Sequence, residues 1–375
     1  MNMISNSSNI YRVWRYVIIY GPFRTLAKVF GRLRPSLPLY ILLRTRIPRL
    51  RGRGIGIIGA GQHAYSTIAY SLASFTRSNI IFVIDPNYRA AVSLAKAYNI
   101  KNSYSELTEN VINDKDLSLV YIASNHSTHA DYFLTLAARK IDIFIEKPLC
   151  TRRCELEEMD RVVKTFGTKV YAGFNRPFSR AVQSIVRNFT DHEPFSLSCT
   201  VFGHKLDDSH WYRNPGEGSR VIGNLAHWID LSVYLLFLRA EGNYELKISL
   251  SFADVNSVSD NMSVTISTSF GDLVCLFFST RGEPFEGVNE YIAFQQGDFT
   301  AKVNNFREIE MTRGRKIIKN KFFPKDVGHI RSVLQPFYVK PTREWGELYA
   351  STSLMLHIED MVVNLRENMT LQLQR

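Results

Sequence analysis

Cysteine is scarce in this 375-residue chain. Cys150, Cys154, Cys199 and Cys275 are too few for a disulfide framework, and none stands in a CxxC pair of the kind that holds zinc. No metal site is expected, and a reducing cytoplasm is the natural compartment. Long apolar runs are lacking as well. No stretch reaches 18 apolar residues, and Tyr16 to Tyr20 is too short for the core of a secretory signal. Export and membrane crossing are therefore not expected. Acidic residues are missing from the first 53 positions, which carry eleven cations (Arg12, Arg15, Arg24, Lys28, Arg32, Arg34, Arg44, Arg46, Arg49, Arg51 and Arg53). Removing these from the total of 46 Lys and Arg leaves 35 against 35 Asp and Glu, so the leader holds the whole formal excess of +11 and the body is neutral.

The leader mixes its cations with Trp14, Tyr16, Val17, Ile18, Ile19, Phe23, Leu26, Val29 and Phe30. That composition suits a helix lying in an anionic membrane interface at the inner face of the membrane. It suits equally a basic arm packed on the protein's own surface or on a partner, because charge runs alone discriminate poorly. A nucleic acid is a weaker partner and is not expected. Pro35, Pro38, Pro48 and the arginines around Gly52 make residues 31–54 read as a linker.

Hydrophobic content of 45%, with 12% aromatics, can fill two cores. From residue 54 the runs GIGIIGA, NIIFVID, LSLVYIAS and IDIFIEKP alternate with helical stretches at Gln62 to Phe75, Asn87 to Tyr98 and His126 to Lys140. Short apolar strands separated by helices imply crossovers and a parallel sheet buried on both faces, hence a doubly wound Rossmann domain over 54–177. Beyond Phe178, alternating segments such as FSLSCTVFG, ELKISLSFAD, MSVTISTSF, DLVCLFFST and EYIAFQQ signal a large, mostly antiparallel sheet in an α+β domain over 178–375. A helix near 220–238 interrupts these strands, and a final helix over 344–366 closes the chain.

Gly59, Gly61 and Ala64 form GxGxxA between the first strand and its helix, a turn that lets backbone approach a pyrophosphate held at the helix N-terminus, with Gln62 and His63 in the first turn. Asp85 ends the second strand, where an acid accepts hydrogen bonds from the adenosine ribose and repels a 2′-phosphate. NAD is therefore expected in preference to NADP. Glu146 and Lys147 end a further strand on the edge that faces the ligand crevice. Trp211 and Arg213, in HWYR ahead of the later helix, are what a sugar ring and a phosphate would use, or else a seal for the interdomain seam.

Taken in order, GIGIIGAGQHA, VIDPN, IASNHSTHADYFLTLAARKIDIFIEKPL, YAGFNRPFSR and SHWYRNPGEGSRVIGNLAHWIDL make residues 54 to about 240 resemble the glucose-fructose oxidoreductase, inositol dehydrogenase and MocA (Gfo/Idh/MocA) family of sugar dehydrogenases. The leader is outside that pattern. The resemblance implies hydride transfer between a nicotinamide and a hydroxyl or keto group of a sugar or nucleotide sugar, as in surface-glycan synthesis, by an enzyme expected to be a homo-oligomer. It implies that Lys147 hydrogen-bonds the reacting oxygen and that His227 is the general acid or base. It also implies that Asn175, Arg176 and Asn224 lie near substrate, and Asn125 and His126 near the cofactor, although the usual proline of that turn is lacking. Many members carry an Asp four residues before the histidine, where this chain has Gly223. That departure keeps open a non-catalytic sensor or scaffold of the same fold, and fold alone does not exclude a reductase of unsaturated or imine substrates. Asp230 fits a structural role, and core packing is expected for Cys150 and Cys154.

Overall fold

The computed structural model describes residues 3–35, 37–43, 50–207, 209–214, 216–239, 242–254, 258–282, 284, 287–338 and 343–374. Helices α1 (Met3–Tyr20), α2 (Pro22–Leu33) and α3 (Leu39–Leu43) precede the first strand. The doubly wound unit comprises β1 (Gly54–Ile58), β2 (Asn79–Ile84), β3 (Asn102–Tyr104), β4 (Leu117–Ile122), β5 (Asp142–Ile145) and β6 (Val170–Ala172). Its connecting helices are α4 (Tyr70–Phe75), which continues a π-helical stretch over Ala64–Ala69, then α5 (Tyr88–Tyr98), α6 (Glu109–Ile112), α7 (His129–Ala137) and α8 (Arg153–Phe166). The strands lie parallel in the order β3-β2-β1-β4-β5-β6. Because β1 and β4 send their chains to opposite sides of the sheet, a crevice opens at their carboxyl ends.

After α9 (Arg180–Val186), the second domain builds a nine-stranded sheet in the order β14-β13-β12-β11-β7-β10-β9-β8-β15. The strands are β7 (Phe195–Phe202), β8 (Tyr244–Phe252), β9 (Asn261–Thr268), β10 (Leu273–Ser279), β11 (Asn289–Gln296), β12 (Phe299–Asn304), β13 (Glu308–Arg313), β14 (Lys316–Lys321) and β15 (Asn368–Leu373). Neighbours run antiparallel except β7 with β10. Burial alternates residue by residue along β7 and β8, so one face is covered and the other meets solvent. The covered face packs on α10 (Ala226–Phe237) and α12 (Trp345–Val363), with the short α11 (His329–Val333) between the sheet and α12 in sequence. In α10, Trp228, Ile229, Leu231, Val233, Leu235 and Leu236 are all at most 1% exposed. Each such side chain contributes about 1.5–3 kcal/mol by leaving water, which fixes the helix and the histidine at its start. Strand β14 is exposed throughout, and its KIIKNK sequence places lysines on an open sheet edge.

Four expectations change. Helix α12 does not close the chain, because β15 returns to pair with β8 and fills a position beside it. Strands β12, β13, β14 and β15 extend the sheet beyond the segments legible in sequence. Cys154 is exposed, so core packing holds for Cys150 alone of that pair. Residues 31–54 are not simply a linker: Leu39 and Leu43 are buried in the Rossmann core, Leu50 bridges to Thr76, and Arg53 pairs with Asp142 at 2.7 Å. Residues 44–49, with Arg44, Arg46 and Arg49, lie outside the described residues.

Of the two readings of the leader, the arm on the protein's own surface describes α2. Lys28 O accepts from Gln62 Nε2 at 3.1 Å, Ala27 is buried in the Rossmann core, and Arg34 donates to Ala60 O at 2.5 Å while lying 4.6 Å from the Tyr65 ring centre. The last turn of α1 is held by the second domain, through Lys325 N to Ile19 O at 2.7 Å. On α1, Tyr11, Trp14 and Ile18 stay exposed at helical spacing.

Candidate active site

At the β1–β4 crevice lies a cavity of about 770 Å³. Gly59 turns the chain there with φ 95°, and a Cβ on it would stand 2.3 Å from Ala123 O, so only glycine lets the turn close against the end of β4. Above Gly61 nothing comes within 4 Å of such a carbon, which leaves the first helical turn open to a ligand. Asp85 accepts from the N–H of Ala60 at 2.7 Å and of Asn87 at 2.8 Å, tying the end of β2 to the glycine turn while still facing the cavity. Asn87 then caps α5.

At the other end, Glu146 meets His63 Nε2 at 3.0 Å. Burial pushes the Glu146 carboxyl up, but His63 and Lys147 outweigh it and hold the group below its ordinary value. The Lys147–Pro148 peptide is cis, and Lys147 Nζ donates to Gly223 O at 2.5 Å. His129 braces this corner, with Nδ1 2.6 Å from Pro148 O and Nε2 3.1 Å from Ser124 O.

His227 lines the cavity one turn after Gly223, and its Nδ1 is buried with no hydrogen-bond partner among the described residues. Burial, and then Arg176 and Lys147, lower its pKa well below 6.5, so the imidazole is neutral near pH 7. His126 is pushed down to about 2 by burial and by Lys147. Its Nδ1 meets Glu217 O at 3.0 Å, and its ring packs 4.8 Å from Trp211 and 4.9 Å from Tyr212. It therefore forms a wall and carries no charge.

Every residue assigned to cofactor binding (Gly59, Gly61, Gln62, His63, Asp85, Asn125, His126, Glu146 and Lys147) lines this one cavity, and so do His227, Asn175 and Trp211. Arg176, Arg213 and Asn224 do not. The Arg176 guanidinium is consumed by Glu290 at 3.0 and 2.9 Å and lies over Trp228. Arg213 pairs with Asp260 at 3.0 Å, and Asn224 points its Oδ1 into a buried position. Asn175 is itself held by Val327 O at 2.6 Å. Asp230 is structural: it makes a two-pronged pair with Arg343 at 2.9 and 2.7 Å, and both are buried.

Sequence reasoning did not single out His329, His129 or Tyr132, which also line the cavity, and it read Tyr212 only as part of the aromatic HWYR segment. His329 follows Gly328 at the start of α11 and stands 5.8 Å from the His63 ring, a juxtaposition that no local pattern encodes. Tyr212 explains the missing acid. A Cβ at Gly223 would lie 2.6 and 2.7 Å from Tyr212 ring carbons, so an aspartate has no room.

Residues 53–174 match the model of an oxidoreductase family with an NAD-binding Rossmann fold, the family named for Gfo, Idh and MocA. The match spans the dinucleotide-binding domain. The chain is 29% identical over 203 residues to a scyllo-inositol 2-dehydrogenase (NAD(+)) of Bacillus subtilis strain 168, covering 54% of this chain and 55% of that protein. It is likewise 29% identical over 197 residues to inositol 2-dehydrogenase 2 of Paenarthrobacter aurescens strain TC1, covering 48% and 55%. The chain thus spans about half the length of the curated relatives it matches. Among solved structures, an aldose-aldose oxidoreductase from Caulobacter crescentus superposes with a TM-score of 0.70 over 86% of this chain and all of that one, at 14% identity, a likeness of fold. The leader lies before the family match. A dinucleotide suits the residues present: an open cradle above Gly61, an acid at the end of β2, and one cavity running from Asp85 to Lys147 and His227.

Proposed function

We propose that this protein is an NAD-dependent dehydrogenase that exchanges hydride with a secondary hydroxyl or keto group of a cyclitol, sugar or nucleotide sugar. The observation that carries the reading is the meeting of Lys147 and His227 on one cavity wall, with Lys147 Nζ held on the carbonyl of the residue four before His227. NAD, when bound, supplies the hydride acceptor. Lys147 keeps ammonium protons free to hold the reacting oxygen and stabilises charge developing on it. His227, neutral and lining the cavity beside Lys147, takes the hydroxyl proton. His63 and Glu146 brace the corner between them.

Spectrophotometric NADH formation with myo-inositol, scyllo-inositol, glucose and nucleotide sugars tests the reading, alongside calorimetric titration of NAD. Tight NAD binding with no turnover of any polyol would leave the sensor or scaffold in its place.

Two partner readings belong to the same proposal. Phe277, Thr200 and Tyr291 share a row across β10, β7 and β11, with the aromatics 48% and 44% exposed on the open sheet face, which favours a second copy of this chain there. Light scattering of a Phe277→Asp, Tyr291→Asp variant tests it, and an unchanged mass counts against it. Peripheral attachment to an anionic membrane, beside glycan-building machinery, would rest on the exposed Tyr11, Trp14 and Ile18 of α1. Arg24, Arg34 and Arg53 are engaged with the protein itself or sunk against it. Vesicle co-sedimentation of wild type and Trp14→Asp decides it, equal sedimentation counting against attachment.

A further inference from the structure

Tyr212 and Gly223 make a pair that deepens the dehydrogenase reading and rests on it. A Cβ at 223 would fall 2.6 Å from Tyr212 Cε2 and 2.7 Å from Cδ2, so a side chain there and this ring exclude one another. The carbonyl of the same glycine holds Lys147 Nζ, which lies 5.8 Å from the centre of the Tyr212 ring. Several contacts fix the ring. Its backbone N–H goes to His210 Nδ1 at 3.2 Å, and it packs perpendicular to Trp211 at 4.3 Å. The loop is pinned further on, where Glu217 accepts from Ser127 Oγ at 2.7 Å and Ser219 N donates to Glu359 at 2.9 Å. Trp211 and Tyr212 both line the cavity with Lys147 and His227.

We propose that Tyr212 is a specificity-determining residue. Its ring, seated over Gly223, gives the substrate half of the cleft an aromatic face beside Lys147 and selects a ring polyol, a cyclitol or a pyranose, over an open-chain polyol. One face of such a ring presents C–H bonds to the negative π surface, while its hydroxyls stay at its edge to meet Lys147, whose Nζ stands over the Tyr212 ring. An open-chain polyol has no flat face to offer and must freeze its torsions to bind.

The test is calorimetric titration of myo-inositol, glucose and sorbitol into the full-length protein loaded with NADH. Wild type and Tyr212→Phe should hold at least one ring probe more tightly than sorbitol. Tyr212→Ala should weaken that ring probe about tenfold and leave sorbitol and NADH within about twofold. Gly223→Ala should cost about as much in the wild-type background and less than about twofold in the Tyr212→Ala background, because the ring it would strike is gone. Tyr212→Leu, which keeps bulk without the π face, should behave as Tyr212→Ala if alanine fails to fold. Equal losses for ring and open-chain probes, additive costs at 212 and 223, or NADH binding without affinity for either ring probe would overturn the proposal. Absence of NADH binding would overturn the dinucleotide reading beneath it, and this proposal with it.

Discussion

Replacing Asp85 by serine separates two jobs that the structure gives one carboxylate. The first is cofactor choice. An adenosine 2′-phosphate, with nearly two negative charges, repels a carboxylate about 5 Å away by about 2 kcal/mol in water and about 7 kcal/mol at an effective dielectric of 20. Losing the acid therefore removes at least a tenfold penalty on NADP, on the scale of about 1.4 kcal/mol per decade. The second job is architectural, since the two oxygens accept from Ala60 N at 2.7 Å and Asn87 N at 2.8 Å. Charge-assisted bonds contribute about 1.5–3 kcal/mol each, part of which a serine hydroxyl and water recover, so NAD affinity should also fall and the glycine turn should loosen. Asp85→Asn keeps one side-chain oxygen and discards the charge, so it should relax the preference while retaining more of the turn. Calorimetric titration of both dinucleotides against wild type, Asp85→Ser and Asp85→Asn reads the outcome. A ratio of NAD to NADP affinity that stays within about twofold across the three proteins would refute the reasoning, as would tighter binding of NADP by the wild type.

Lys147→Ala and His227→Ala should each slow hydride transfer by about two orders of magnitude or more with dinucleotide affinity nearly intact; wild-type stopped-flow rates would remove them from the mechanism. Because burial and nearby cations hold His227 well below 6.5, kcat/KM for polyol oxidation should show no inflection at that value, and a clear one there would contradict a neutral imidazole. Arg343→Met strands the buried Asp230 carboxylate and should cost about 3–5 kcal/mol in denaturant unfolding, against little if the pair were solvated. Burial, with Arg24, Lys325 and Arg32 nearby, lowers Lys28 to about 7 in the folded chain from 10.5. Between those values the unfolded chain binds more protons, so Lys28 makes stability rise with pH across that window. Lys28→Met should flatten that rise in melts taken from about pH 7 to about pH 10, and parallel curves for the two proteins would count against a lowered Lys28 pKa.

The Rossmann half was legible because its signals are local. Strand GIGII, the turn at Gly59 and Gly61, and the acid at Asp85 follow each other within 32 residues, and each is forced by sterics or burial that a short window reveals. The substrate half was less legible because its walls are assembled from distant segments. Arg176 looks in sequence like a substrate cation, yet its partner Glu290 stands 114 residues away on β11, and nothing near Arg176 announces the pairing. Edge strands such as KIIKNK carry no alternation to read, since both faces meet solvent. The leader's charge was equally misleading taken residue by residue: composition cannot tell a cation that faces lipid from one that, like Arg34, is spent on the carbonyl of Ala60 inside the glycine turn. Gly223 shows the same limit most sharply. In sequence it reads as a catalytic acid lost, whereas in three dimensions the vacancy is filled from position 212, and the Lys147 ammonium is still held by the backbone of the residue whose side chain is missing. What a substitution removes from a site can be judged only with the neighbour that takes up the space.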